Sequence, residues 1–290
     1  MQLQSKLRRA VPPSILRWMR QQIQAMEARK RAQRRKDCIA RFGTFAAADL
    51  VKILCAAGIR RNGVLFVQCS FNDLYTYRGT PFELLCALRE LAGPDGTLVM
   101  PAYSANMQHT PCKPFDVRFE PTTSGILAEL FRRDDGVIRS LHPRHSLCAS
   151  GPYAKELLAK HEDCIYADGP GSPFDRLRHL EAQSLCLGMA PGFTSFIHWV
   201  EDIEPDKYPI RAHEGPFECL LTNEDGQQLT RSFYRRISGQ RKREKRMGRS
   251  LSKSAMRVLS VHGVTSCVYA WPALADELIA LRNRGIVYYD

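Results

Sequence analysis

The segment Thr194-Ser195-Phe196-Ile197-His198-Trp199-Val200-Glu201 sets an imidazole and a carboxylate three residues apart, just after an apolar run, Ser184 to Ala190, that ends in Pro191-Gly192. Positions i and i+3 share one helix face. A helix capped by Thr194 or Ser195 would therefore point His198 and Glu201 the same way at the end of a buried strand. Ligands in open α/β sheets collect at such strand ends. A neutral histidine there can serve as a general base near pH 7, with the carboxylate orienting it or holding a substrate ammonium. On a solvated helix face the same pair would do neither, so its surroundings decide.

Three other segments carry candidate chemistry. Arg139-Ser140-Leu141-His142-Pro143-Arg144-His145-Ser146 packs two histidines, two arginines and two hydroxyls into one loop, and guanidinium and hydroxyl groups suit phosphate oxygens. The two histidines lack adjacent acids or thiols, which makes a poor zinc pattern, and no metal is expected. Gly169-Pro170-Gly171-Ser172-Pro173-Phe174 is a glycine-rich turn whose amides can approach an anion or simply reverse the chain. Gln68-Cys69-Ser70 ends a strand, where a thiol or hydroxyl nucleophile can be displayed, although a buried, inert cysteine is the commoner occupant.

The elements that must position these residues follow from apolar periodicity and turn chemistry. Thr44 to Val51 opens a short helix ending at Gly58, and Gly63 to Gln68 is an unbroken apolar strand. Pro81 to Leu91 is a helix with proline in its first turn, and Asp95-Gly96 turns the chain into the strand Thr97 to Met100. That strand–helix–strand spacing favours a parallel pair. Ser124 to Arg133 reads as a helix capped by Ser124, and Leu185 to Met189 as a further strand. Glu218–Leu221 and Leu229–Phe233 flank Asn223-Glu224-Asp225-Gly226, a hairpin signal. The fold class expected is α/β, a single three-layer domain over residues 44–290 with a mixed, largely parallel central sheet. Residues 1–43 form a basic, amphipathic helical extension.

With 290 residues, 44% of them hydrophobic, the chain can bury a full core, and no run of 18 apolar residues is present to span a membrane. Ten scattered cysteines without a Cys-x-x-Cys pair, and an N-terminus without an apolar signal, point to free thiols in a cytoplasmic protein. The net charge of +12 is unevenly placed: +10 in residues 1–45 and +9 in residues 235–257, which leaves −7 for the rest. This is an acidic body with two basic segments. In the first, Ile15, Met19, Ile23 and Met26 form one stripe, with Trp18 nearby and arginines and lysines on the other faces. Such a helix can pack on its own domain or on a second subunit of a homodimer. Alternatively, residues 14–36 can lie on an anionic membrane at the inner face. No base-reading motif accompanies the charge, which disfavours nucleic acid.

Taken in order, the segments resemble the aminoglycoside 3-N-acetyltransferase family. The resemblance runs through Val64–Ser70, Leu91–Tyr103, Phe115-Asp116, Gly125–Phe131, Gly136–Gly151, Gly169–Leu177, Leu185–Gly188 and Thr194–Glu201. It is weaker from Gly248 to Gly285, which looks like a closing helix–strand–helix. The resemblance implies acetyl-CoA as co-substrate and acetylation of an amine on a small molecule or glycan. It makes His198 the catalytic base and Glu201 its helper or the acceptor's anchor. It also implies coenzyme contacts from Ser70, Arg139, Ser140, His142 and Ser146. Transfer would be direct: His198 takes a proton from the amine, which attacks the thioester carbonyl.

Two departures from the family pattern stand out. Gln68 occupies a position where many relatives carry histidine, and an amide cannot take up a proton at pH 7. The run Arg235 to Arg246 follows the hairpin, in the region that shapes the acceptor site in antibiotic-modifying members, and it would repel a polycation there. Otherwise it is a solvated insertion facing away. The expected function is N-acetylation of an amino sugar, either aminoglycoside-like or borne on an anionic nucleotide, lipid or polysaccharide carrier. Two alternatives come from other classes: a hydrolase using Cys69 or Ser70 with His198, and a non-catalytic glycan- or nucleic-acid-binding module.

Overall fold

The computed structural model describes residues 12–108, 111–237 and 243–289. Residues 1–11 of the expected N-terminal extension, and residues 238–242 of the basic run, lie outside the described residues.

Helix α1 (Pro13–Phe42) begins with proline in its first turn and ends at Gly43, whose φ of 67° only glycine adopts without strain. Helix α2 (Ala47–Ala56) leads into strand β1 (Val64–Cys69). Helix α3 (Pro81–Ala92) carries a complete capping box, in which Glu83 N donates to Thr80 Oγ1 and Thr80 N to the Glu83 carboxylate. Strand β2 (Thr97–Pro101) follows, then the two-residue β3 (Phe115–Asp116), helix α4 (Ile126–Arg132), and strands β4 (Ile138–Arg139) and β5 (Leu147–Ser150). Helices α5 (Ala154–Leu158) and α6 (Pro173–His179) precede β6 (Gln183–Leu187) and the short α7 (Trp199–Asp202). Strands β7 (His213–Thr222) and β8 (Gln228–Arg236) form the expected hairpin. Helix α8 (Glu244–Ser250), strands β9 (Met256–Val261) and β10 (Val264–Ala270), and helix α9 (Trp271–Asn283) complete the order.

Seven strands form one mixed sheet in the order β4-β5-β2-β1-β6-β10-β9. Only β2, β1 and β6 run parallel; the pairs on either side of them are antiparallel. The sheet is therefore mixed as expected, but parallel at its centre alone. The single strand expected near the C-terminus is two, because His262 and Gly263 turn β9 back as β10 and add an antiparallel edge.

Alternation along β1 assigns its two faces. Leu65 and Val67 join α2 and α3 through Leu54, Leu84 and Leu88 on one face. Phe66 joins Phe174 of α6 and Trp271 of α9 on the other. Burying such a leucine stabilises by roughly 1.5–3 kcal/mol. A smaller sheet, β3-β7-β8, encloses Phe115, Cys219, Leu221 and Phe233. Its turn is tied by Asn223, whose backbone N–H and carboxamide oxygen both bond Gln227.

Two local expectations are corrected. Ser124 does not cap α4; Gly125 stands at the N-cap with φ of 100°, and Ser124 Oγ accepts from Tyr103 N at 3.2 Å. The cysteines are not all free thiols: Cys112 and Cys219, 107 residues apart, form a disulfide between the loop before β3 and strand β7. The spacing had no pattern because the partners meet only through the pairing of β3 with β7. The other eight cysteines are unpaired.

Candidate active site

The C-terminal ends of β1 and β6 lie side by side, and Gly188 must be glycine there: a Cβ would stand 2.9 Å from Ser70 O. Beyond these ends opens a cleft of about 670 Å³. Its walls include Gln68, Cys69 and Ser70 from the end of β1, Tyr103 past β2, and Thr194, Ser195 and His198 from the turn after β6. Arg144, His145, Arg236, Tyr288 and Tyr289 complete the inner part.

Residues Ser195–His198 form a 3-10 turn that runs directly into α7. Gln68 fastens it. Its Nε2 donates to Ser195 Oγ at 2.8 Å, and its Oε1 accepts from Ser195 N at 3.0 Å. The amide at this position therefore builds the turn that carries His198, and an amide supplies both the donor and the acceptor that this requires. His198 Nδ1 lies 3.1 and 3.2 Å from the two oxygens of Glu201, and the Tyr289 hydroxyl oxygen lies 3.3 Å from the same nitrogen. When Glu201 is ionised it fixes the proton on Nδ1 and makes Nε2 the basic nitrogen. Glu201 is fully buried and does not line the cleft; its carboxylate meets His198 and Arg236.

Sequence reasoning missed the centre of this arrangement, Arg236, the last residue of β8. Its Nε donates to Glu201 Oε2 at 2.8 Å, and its Nη2 donates to Asp168 Oδ2 and Asp202 Oδ1 at 2.9 Å each and to His198 O at 3.1 Å. Each of the three carboxylates also meets a histidine. Glu201 meets His198, Asp168 Oδ1 meets His145 Nδ1 at 3.1 Å, and Asp202 Oδ1 meets His213 Nε2 at 2.8 Å. Three His–carboxylate pairs thus share one buried guanidinium. Ligand atoms of Glu201, Asp202 and His213 lie within 4.8 Å of one another, as metal ligands do, but the guanidinium already supplies the positive charge between these carboxylates.

Burial and mutual charge set the protonation here. Burial pushes the Glu201 carboxyl up to about 8; Arg236 opposes the shift and Asp202 adds to it. Burial, with Arg236 and Arg144 nearby, holds His145 well below the ordinary histidine range, so it faces the cleft as a neutral imidazole stacked 4.9 Å from the Tyr103 ring. The Cys69 thiol is pushed up to about 12 by burial and by Asp73, and it is not a thiolate at neutral pH. Ser70 lines the cleft, and its hydroxyl donates to Asp73 Oδ2 at 2.6 Å.

The loop expected to meet the coenzyme divides. Arg139, Ser140, His142 and Ser146 are buried away from the cleft, and apart from His142 Nε2, which has no hydrogen-bond partner among the described residues, their polar side-chain groups are engaged within the fold. Arg139 donates to Ser146 Oγ and Ala102 O and stacks on Phe115. Ser146 Oγ donates to Ala102 O at 2.7 Å. Ser140 Oγ bonds His161 Nδ1 at 2.8 Å and accepts from Leu147 N. His142 Nδ1 accepts from Arg144 N and His145 N, and its ring stacks on His161. These residues hold the strand edge that presents Tyr103, and coenzyme contacts from them would require that framework to open. Arg144 and His145 of the same loop line the cleft instead. The glycine-rich turn does bind an anion, but an internal one: Gly171 N donates to Asp175 Oδ2, while Asp175 Oδ1 accepts from Trp199 Nε1.

The molecule is thus a mixed α/β protein whose parallel strand ends open on a cleft walled by a carboxylate-held histidine. The family model for aminoglycoside 3-N-acetyltransferases matches residues 66–281, and the chain belongs to that family. Over 168 residues it is 32% identical to aminoglycoside N(3)-acetyltransferase IV of Salmonella sp, covering 57% of this chain and 62% of that protein. Over 171 residues it is 31% identical to aminoglycoside N(3)-acetyltransferase III of Pseudomonas aeruginosa, covering 53% and 62%. The chain thus spans about three fifths of the length of these curated relatives. A crystal structure of a histidine-to-alanine variant of aminoglycoside acetyltransferase AAC(3)-IVa, in complex with gentamicin, superposes with a TM-score of 0.69 at 26% identity, covering 83% of this chain and 89% of that one.

Proposed function

We propose that the protein transfers the acetyl group of acetyl-CoA to a primary amine, with His198 as the general base. The observation that carries this is the position of His198 in the wall of the cleft, its Nδ1 held by the buried Glu201, in a chain of this family. His198 Nε2 takes a proton from the amine, the freed lone pair attacks the thioester carbonyl, and the thiolate of coenzyme A departs and is reprotonated. His145 is the second imidazole on the same wall, with its ring centre 6.5 Å from that of His198, and suits a contact to the acceptor.

The acceptor is an amine on an anionic carrier, such as an amino sugar linked to a nucleotide, lipid or polysaccharide. Among the described residues the cleft wall holds no carboxylate, and Arg144 supplies its positive charge, since Arg236 is matched by the buried Asp168, Glu201 and Asp202; a free polyamine is held best by acids. Work on such a carrier also suits a cytoplasmic protein resting on the inner face of the membrane through residues 14–36. The hydrolase alternative is weakened because the Cys69 thiol stays protonated at neutral pH and the Ser70 hydroxyl donates to Asp73 instead of His198.

The test is acetyl-CoA turnover with nucleotide-linked amino sugars and with kanamycin-like amines, by wild type and His198→Ala. We expect faster turnover of the anionic acceptors and a loss of about 10²–10⁴-fold in the variant. Preference for the antibiotics would overturn the acceptor assignment, and full activity in the variant would overturn the role of His198.

A further inference from the structure

A second hollow of about 380 Å³ lies between α1 and the loop that follows β1. Helix α1 supplies Ala28, Arg31, Ala32 and Arg35, and the loop supplies Phe71, Asn72, Leu74, Tyr75, Tyr77 and Gly79. Phe71 and Asn72 also line the cleft that holds His198, so the two spaces share a wall. Arg31 and Arg35 stand one turn apart on one face of α1, on the side away from the stripe of Ile15, Met19, Ile23 and Met26. No carboxylate among the described residues pairs with either guanidinium, whereas Arg89, Arg118, Arg132 and Arg236 each meet one. The nearest acid in the loop, Asp73, is already engaged, with Ser70 Oγ and the Tyr75 hydroxyl donating to its two oxygens at 2.6 Å each. Arg34 packs over the Tyr75 ring at 5.6 Å and holds the helix to the loop.

Two guanidinium forks facing a hollow floored by aromatic side chains suit the phosphates and base of a nucleotide. We propose that Arg31 and Arg35 form a phosphate subsite for the nucleotide end of a ligand whose reactive end reaches His198 past Phe71 and Asn72. The proposal rests on the acetyl-transfer reading. Both reactants of that reaction can supply such a group: coenzyme A carries phosphates at the far end of its pantetheine arm, and a nucleotide-linked amino sugar carries a diphosphate.

Equilibrium binding to the full-length protein tests this by calorimetry with coenzyme A, with phosphate-free pantetheine, and with uridine diphosphate. The double variant Arg31→Gln/Arg35→Gln should bind coenzyme A or uridine diphosphate about tenfold or more weakly, at unchanged pantetheine affinity, because it removes two charge-assisted hydrogen-bond donors. Weakening confined to coenzyme A assigns the subsite to the donor, and weakening confined to uridine diphosphate assigns it to the acceptor. The charge-conserving pair Arg31→Lys/Arg35→Lys should retain most of the binding, which separates charge from helix damage. Equal affinity in wild type and the glutamine variant, or no binding of either phosphate probe to wild type, overturns the subsite. A wild type that binds these probes yet acetylates no amine refutes the proposed function and leaves the subsite standing.

Discussion

At the scale of single residues, the site turns on where one proton sits. With Glu201 ionised, His198 carries its proton on Nδ1 and Nε2 is basic; with Glu201 protonated, the carboxyl donates to Nδ1 and Nε2 carries the hydrogen instead. Burial raises the Glu201 carboxyl to about 8, so the pair loses its proton as pH rises through that region. We expect kcat/KM to climb with pH and level off above about 8, and Glu201→Gln to flatten that limb and lower the rate about 10²-fold or more. Profiles recorded with the same amine share the substrate's own titration, so the difference between them reports the pair. An unchanged limb in the variant would remove Glu201 from the proton path. His198 and Glu201 were legible in the sequence because they lie three positions apart on one turn. Gln68 was legible only as a missing base, since its two bonds to Ser195 join residues 127 positions apart.

At the scale of elements, the β7–β8 hairpin delivers the residue that sequence reasoning could not find. Arg236 sits in a run of cations that reads as a solvated face, yet strand pairing fixes it beside Asp168, Glu201 and Asp202. Period and composition do not encode such long-range pairing. The polar loop at residues 139–146 misled for the opposite reason: residue types that suit phosphate also suit the bracing of a strand edge, and Ala102 O takes bonds from both Arg139 and Ser146. Removing the guanidinium strands three buried carboxylates. Arg236→Gln should therefore lower the stability of the folded protein by about 3–5 kcal/mol, read from the urea midpoint. A midpoint near that of wild type would mean that the carboxylates are neutral or find other partners.

At the scale of the whole molecule, the sequence led to helices and strands in nearly their observed places and to a mixed sheet. It overstated the parallel part because β4 and β5 on one side and β10 and β9 on the other flank the parallel centre, and no local pattern reveals their direction. The uneven charge was legible and takes on structural form in α1. Ile15, Trp18, Met19, Ile23 and Met26 are all exposed there, on a helix rich in arginine. Apolar and basic residues on one exposed helix suit the surface of an anionic bilayer. Full-length protein should sediment with phosphatidylserine-containing vesicles and be released by salt or by Ile15→Ser/Ile23→Ser. Equal binding to uncharged vesicles, or none to either, would exclude that role.

The sharing of one guanidinium by three histidine–carboxylate pairs also bears on how this protein can change over generations. A substitution at position 168, 201, 202 or 236 disturbs all three pairs, so single steps there meet a fitness barrier and their effects will not add. Met189, Phe193 and Ile126 line the same cleft, and none of them contributes to the Arg236 network. New acceptors should therefore be acquired through that apolar rim, while the ionic centre is inherited as a block.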